Sequence, residues 1–188
     1  MTALQSIQQL LKQNASPEGL AASRKFVPGV SKVYGVRMPV LNQLAKQFSA
    51  EGFKLVQALW KAGSLEEKIL AAKILERIAK QDPKLAIDLV TSFSTGIDNW
   101  AVCDALGMQS LKGLVKTHAE EIFSLARKLN TAENLWQRRL SLVLVEWYTR
   151  DKKKHTEINA LVKLLEKDEE YYVRKAVEWI KRNMQKGK

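Results

Sequence analysis

Lys175, Trp179 and Arg182 follow one another at helical spacing, so a helix there carries two cations and an indole on one face. Such a face holds phosphates while the ring packs against a sugar or a base. Arg138, Arg139, Arg174 and Lys181 add further positive charge nearby. The plainer alternative is that Trp179 is core and the charges only solvate the helix. Asp104 is the second point of interest. Trp100 lies one turn before it in the string Asp98-Asn99-Trp100-Ala101-Val102-Cys103-Asp104. A carboxylate beside aromatic walls stabilises a cationic transition state and orients water; a lone carboxylate among cations is otherwise a salt bridge. Other chemistries have little footing. No glycine-rich phosphate cradle is present, His118 and His155 stand apart at expected helix starts, and Cys103 has no histidine near it, so neither a metal site nor a thiol mechanism is expected. Trp60 and Trp147 are expected in the core or between repeats, and Lys152-Lys153-Lys154-His155 as a solvated loop or a secondary phosphate contact.

Regular elements must hold these residues in place, and the sequence repeats on that scale. Lys68, Asp104, Arg139 and Lys175 fall in register, 36, 35 and 36 residues apart, each on a helix preceded by another amphipathic helix. That period suits HEAT-like helix-pair repeats, which stack into a curved superhelix with equivalent positions side by side. Apolar residues recur at helical spacing nearly throughout. The pattern predicts helices over 3–14, 17–25, 38–49, 51–62, 64–81, 83–93, 98–110, 119–129, 132–150, 155–167 and 169–185. Ser16-Pro17, Ser64 with Glu67, and Asp82-Pro83 mark three of the starts. Residues 27–36, with Pro28, Gly29 and Gly35, should form an irregular surface loop. The expected fold is all-α: a right-handed superhelix, or solenoid, of HEAT-like repeats, with residues 1–188 as one domain.

Composition narrows the partners. Lys and Arg number 31 against 20 Asp and Glu, a net charge of +11 that favours polyanions: nucleic acid, an anionic membrane surface or acidic proteins. One cysteine excludes an internal disulfide. No apolar run reaches the length of a membrane span and no secretory leader opens the chain, so a cytoplasmic protein is expected.

Four strings carry a family likeness: Tyr-Gly-Val-Arg-Met-Pro at 34–39, the string at 98–104, Asn-Leu-Trp-Gln-Arg-Arg at 134–139, and Tyr-Tyr-Val-Arg-Lys-Ala-Val-Glu-Trp-Ile-Lys-Arg at 171–182. In order and separation they resemble the AlkD-like family of alkylpurine DNA glycosylases with HEAT-like repeats. The resemblance implies hydrolysis of the N-glycosidic bond of cationic purines such as 3-alkyladenine and 7-alkylguanine in duplex DNA. It places Asp104, Trp100 and Trp179 in the catalytic cleft and Arg139 and Arg182 on the DNA backbone. Lys175, Arg138, Arg174 and Arg37 are expected as further DNA contacts. No cofactor or metal is called for, the partner is duplex DNA with alkylated bases, no membrane is involved, and the protein is expected to be a monomer. The sequence departs from the family pattern at Arg37-Met38, where a small polar pair is common, at Trp147, where a further cation is sometimes found, and after Arg182, where relatives continue through another helix pair. Three functions remain open on the residues themselves: a glycosylase using Asp104; a binder of duplex or branched DNA in which Asp104 only pairs with Arg139; and a scaffold for acidic proteins.

Overall fold

A computed structural model describes residues 1–186. Its eleven α-helices among the described residues are α1 Ala3–Gln13, α2 Pro17–Phe26, α3 Met38–Phe48, α4 Gly52–Ala62, α5 Leu65–Ile78, α6 Pro83–Phe93, α7 Trp100–Gln109, α8 Ala119–Asn130, α9 Leu135–Leu144, α10 His155–Leu165 and α11 Tyr171–Lys186. No strand is formed among these residues. The expected helices are present, but several are shorter at the ends. Ser64 caps α5 in a reciprocal box with Glu67, Asn99 caps α7 through the Val102 amide, and Asn134 caps α9 through the Trp136 amide. These polar caps satisfy orphan N–H groups inside the spans that periodicity alone marks as helix. The stretch predicted as one helix over 132–150 is α9 followed by a 3-10 turn at Glu146–Tyr148, and α5 likewise ends in a 3-10 turn at Ala79–Gln81.

Helices α3, α5, α7, α9 and α11 pack in succession, while α4, α8 and α10 lie on α5, α9 and α11, and α6, α8 and α10 pack among themselves. The result is a row of inner helices backed by a row of outer ones, stacked as a helical-repeat superhelix. The core runs between the rows as one cluster, from Ile7 and Leu11 through Leu70, Ile74, Leu106 and Phe123 to Leu140, Val173 and Ile180. Gly107 sets the approach of α7 to α9: a Cβ there would come within 2.6 Å of the Val143 Cγ1.

Polar ties join each inner helix to the next. The Lys68 ammonium donates to the Gly96 carbonyl at 2.9 Å and to the Asp98 carboxylate at 3.0 Å, just before α7. Gln137 donates to the Ser94 hydroxyl. Arg138 reaches Asp168, just before α11, at 2.6 and 3.4 Å. The registered row of the sequence is therefore largely a row of ties between repeats.

The loop at 27–36 is irregular as expected but firmly anchored. Glu66, on the first turn of α5 and buried, accepts hydrogen bonds from the Tyr34, Gly35 and Val36 amides at 3.0, 2.7 and 3.1 Å. Gly35 has φ +83°, and a Cβ on it would strike the Leu20 backbone at 2.4 Å, so only glycine closes this turn. No helix among the described residues is long and apolar enough to cross a membrane.

Candidate active site

The cleft forms where three inner helices lie side by side. Trp100 and Asp104 come from the first two turns of α7, Arg139 from α9, and Tyr171, Tyr172, Lys175 and Trp179 from α11, around a cleft of about 370 Å³. The 36-residue spacing is what brings them together, because it places equivalent turns of neighbouring helices at one height.

Asp104 and Arg139 make a two-pronged pair: Nε donates to Oδ1 and Nη2 to Oδ2, each at 3.0 Å. The third guanidinium nitrogen, Nη1, donates to the Tyr172 carbonyl at 2.6 Å. Each guanidinium nitrogen thus makes a bond and the side chain is only 9% exposed, whereas the Asp104 side chain keeps 26% of its surface open. Burial pushes the Asp104 carboxyl above its ordinary value, and the charge and hydrogen bonds of Arg139 pull the other way without cancelling it. Each carboxylate oxygen retains a lone pair for water or for a developing cation.

Aromatic groups wall the cleft. Tyr171 and Tyr172 meet edge to face with centroids 5.1 Å apart, and Tyr172 lies 5.0 Å from Trp136 behind it. Lys175 stands over the Tyr171 ring at 5.7 Å. Trp100 is fixed by its Nε1, which donates to the Phe26 carbonyl at 2.9 Å. On the other side of Trp100 lies a second hollow of about 360 Å³, apolar, bordered by Phe26, Val36, Met38 and Ile69.

Of the residues singled out from sequence, Trp100, Asp104, Arg139, Lys175 and Trp179 meet here. Arg138 does not. Its guanidinium is taken up by Asp168 and by the Ala132 and Glu133 carbonyls, which depart from the expected free phosphate contact because a half-buried cation needs partners. Arg139 likewise turns inward to Asp104 and Tyr172 instead of standing open to a backbone phosphate. Arg174 donates to the Glu169 carbonyl from the exposed side of α11. Arg182 is exposed on the same helix, and Arg37, at the start of α3, is exposed too; neither lines the cleft. Lys181 pairs with Glu166. Trp60 packs half-buried on Phe93 with centroids 4.4 Å apart; Trp147 lies outside the core, 37% exposed, and bonds between repeats to the Met108 carbonyl. Within the lysine run Lys154 is committed to Glu120 and Glu157, while Lys152 and Lys153 are exposed. Cys103 is fully buried, and burial holds its thiol well above the ordinary value, so it carries no thiolate. Tyr171 and Tyr172 were not anticipated. Tyr171, Lys175 and Trp179 are spaced by four, and that interval alone places the tyrosine on the cleft face.

The site sets an acid held by an arginine between indoles and phenols, on the inner helices of a helical-repeat protein with a net charge of +11. The family model described as DNA alkylation repair enzyme matches residues 7–188, and the chain belongs to that family. No curated protein matches the chain. DNA is accordingly its substrate, and repair of alkylation its province.

Proposed function

We propose that the protein is an AlkD-like monofunctional glycosylase that removes cationic N3- and N7-alkylated purines from duplex DNA, acting as one domain, as a cytoplasmic monomer and without a cofactor or metal. The observation that carries this is the Asp104 carboxylate, held at both oxygens by Arg139 yet open to a cleft walled by Trp100, Tyr171 and Trp179. A purine alkylated at N3 or N7 already bears positive charge. As the bond from C1′ to the ring nitrogen breaks, its electron pair neutralises the base, so the leaving group needs no proton. Positive charge develops on the deoxyribose instead. Asp104 faces that charge and accepts the proton of the water that adds to C1′, giving a hydroxyl at C1′ and a free base. At about 4 Å and an effective dielectric near 20 the attraction amounts to about 4 kcal/mol, roughly a thousandfold in rate if gained mainly in the transition state. The indole faces add cation–π stabilisation and exclude bulk water.

Arg139 in this scheme positions Asp104, and contact with the phosphates falls to Lys175, Arg182, Arg174 and Arg37. A second reading is favoured by one feature: both Asp104 oxygens already have a guanidinium partner, as a purely structural pair in a non-catalytic binder of duplex or branched DNA would require. Release of free 7-methylguanine and 3-methyladenine from methylated duplex, with enzyme in excess at low salt, separates the two. The glycosylase releases base and Asp104→Asn does not while still binding DNA; absence of release by the wild type with DNA binding intact leaves the binder.

A further inference from the structure

One helical turn beyond Asp104 on α7, the Met108 carbonyl accepts the Trp147 Nε1 at 2.9 Å. That bond fixes the orientation of an indole which remains 37% exposed. The Lys112 ammonium stands over the same ring, 5.4 Å from its centroid. Trp147 and Lys112 border a hollow of about 720 Å³, closed by Pro83 and by Lys80, Lys116 and His118. No acidic residue lines it. Lys112 has a partner in Glu76 at 3.4 Å, but among the described residues Lys80 and Lys116 have no ion-pair partner within 4 Å. Gly113 leaves room for the Lys80 stem: a Cβ there would sit 3.3 Å from the Lys80 Cε. The volume falls within the range of small-ligand sites, about 300–1,000 Å³.

We propose that this hollow is a second nucleic-acid subsite that takes an unpaired nucleotide, its base against the Trp147 indole and its phosphates on Lys80 and Lys116. Cations alone would serve a duplex. A fixed, exposed ring among them would not, because the base faces inside a duplex are covered by their neighbours, whereas an unpaired base offers its face for stacking. The hollow shares no lining residue with the cleft, but it is tied to the cleft helix α7 through the Trp147–Met108 bond, one turn beyond Asp104. The substrate class thereby favoured is DNA with an unpaired stretch close to the duplex: a tail, a gap or a branch. This inference extends the duplex-binding reading above, yet it is tested by binding and not by base release, so either can fail without the other.

Binding of a blunt duplex is compared with that of the same duplex carrying an oligothymidine tail, for wild type, Trp147→Leu, Trp147→Phe, the Lys80→Ala/Lys116→Ala pair and a Lys12→Ala/Lys54→Ala control on an exposed surface elsewhere. The wild type should prefer the tailed duplex by about fivefold or more. Trp147→Leu and the Lys80/Lys116 pair should lose that preference with blunt-duplex binding and thermal midpoint little changed, while Trp147→Phe and the control retain it. Equal binding of the two DNAs by the wild type, or a preference that survives Trp147→Leu, overturns the proposal. So does displacement of the tail by polyglutamate as readily as by free oligothymidine, which would mark the hollow as a site for acidic peptides.

Discussion

At the scale of single residues, Asp104 and Arg139 divide one job unequally. Asp104→Asn keeps the shape of the pair and removes the charge, so base release should fall by about 10²- to 10³-fold with DNA affinity nearly unchanged, as single-turnover kinetics and a binding isotherm would record. Arg139→Ala should cost more than activity. It leaves a mostly buried carboxylate unpaired, which destabilises by about 3–5 kcal/mol, readable in urea unfolding. The pH dependence has a definite sign. Burial places the Asp104 carboxyl above its ordinary value, so the acidic loss of activity should begin at higher pH than for a solvent-exposed aspartate, and the Asn variant should lack that limb. For stability the direction reverses. A folded-state pKa above the unfolded one means the charge costs stability at neutral pH, a cost relieved as pH falls through the raised value, so the wild type should gain on Asp104→Asn over that window. Asp168 runs the other way. Burial opposes its ionisation, but Arg138 and the Glu170 amide outweigh it and hold the carboxyl low, so its contribution is present above the unfolded value and lost as pH drops through the folded one.

Among the elements, the tether from α5 to the 27–36 loop is the most exacting. Glu66→Ala would strand three amides that now share one buried carboxylate. At about 1–3 kcal/mol for each donor left unsatisfied in the interior, the loss should approach several kcal/mol, with faster proteolysis between Pro28 and Tyr34 as a second readout. The apolar hollow beside Trp100 would open with it. Helices, their caps at Ser16, Ser64 and Asp82, and the repeat register were all legible in the sequence, because periodicity and capping are local. Glu66 was not: its partners lie some thirty residues earlier, and nothing in an apolar run distinguishes a glutamate that clamps a distant loop from one that faces water. The same limit explains Arg138. Sequence shows its charge and its register, while Asp168, which consumes that charge, arrives only through the stacking of α11 on α9. Trp147 illustrates the opposite case, in which a departure from pattern drew attention to a residue whose surroundings only the fold supplies.

Across the whole molecule the positive charge is less freely available than the net charge of +11 suggests. Lys68, Arg138, Arg139 and Lys154 are spent on internal partners. Duplex binding should still weaken steeply with salt, the log–log slope steepening by about 0.9 for each phosphate neutralised. Arg182→Ala should make that slope shallower by about one such step, whereas Arg138→Ala should lower stability and leave the slope alone. A slope unchanged in Arg182→Ala would remove α11 from the DNA contact.

The crossbars between successive inner helices also decide which partner yields when the two molecules meet. Lys68 to Gly96 and Asp98, Arg139 to Asp104 and Tyr172, and Arg138 to Asp168 brace consecutive joints of the array with partly buried polar bonds, so flexing any joint would strand desolvated charge. A stiff curved template does not flatten against a straight rod. The compliance has to come from the nucleic acid, for which smooth bending of a short site costs on the order of 1–6 kcal/mol. Under the proposed function a stiff frame would favour the more pliable duplex; dichroism of the complex should accordingly change in the DNA bands and leave the protein helix bands still.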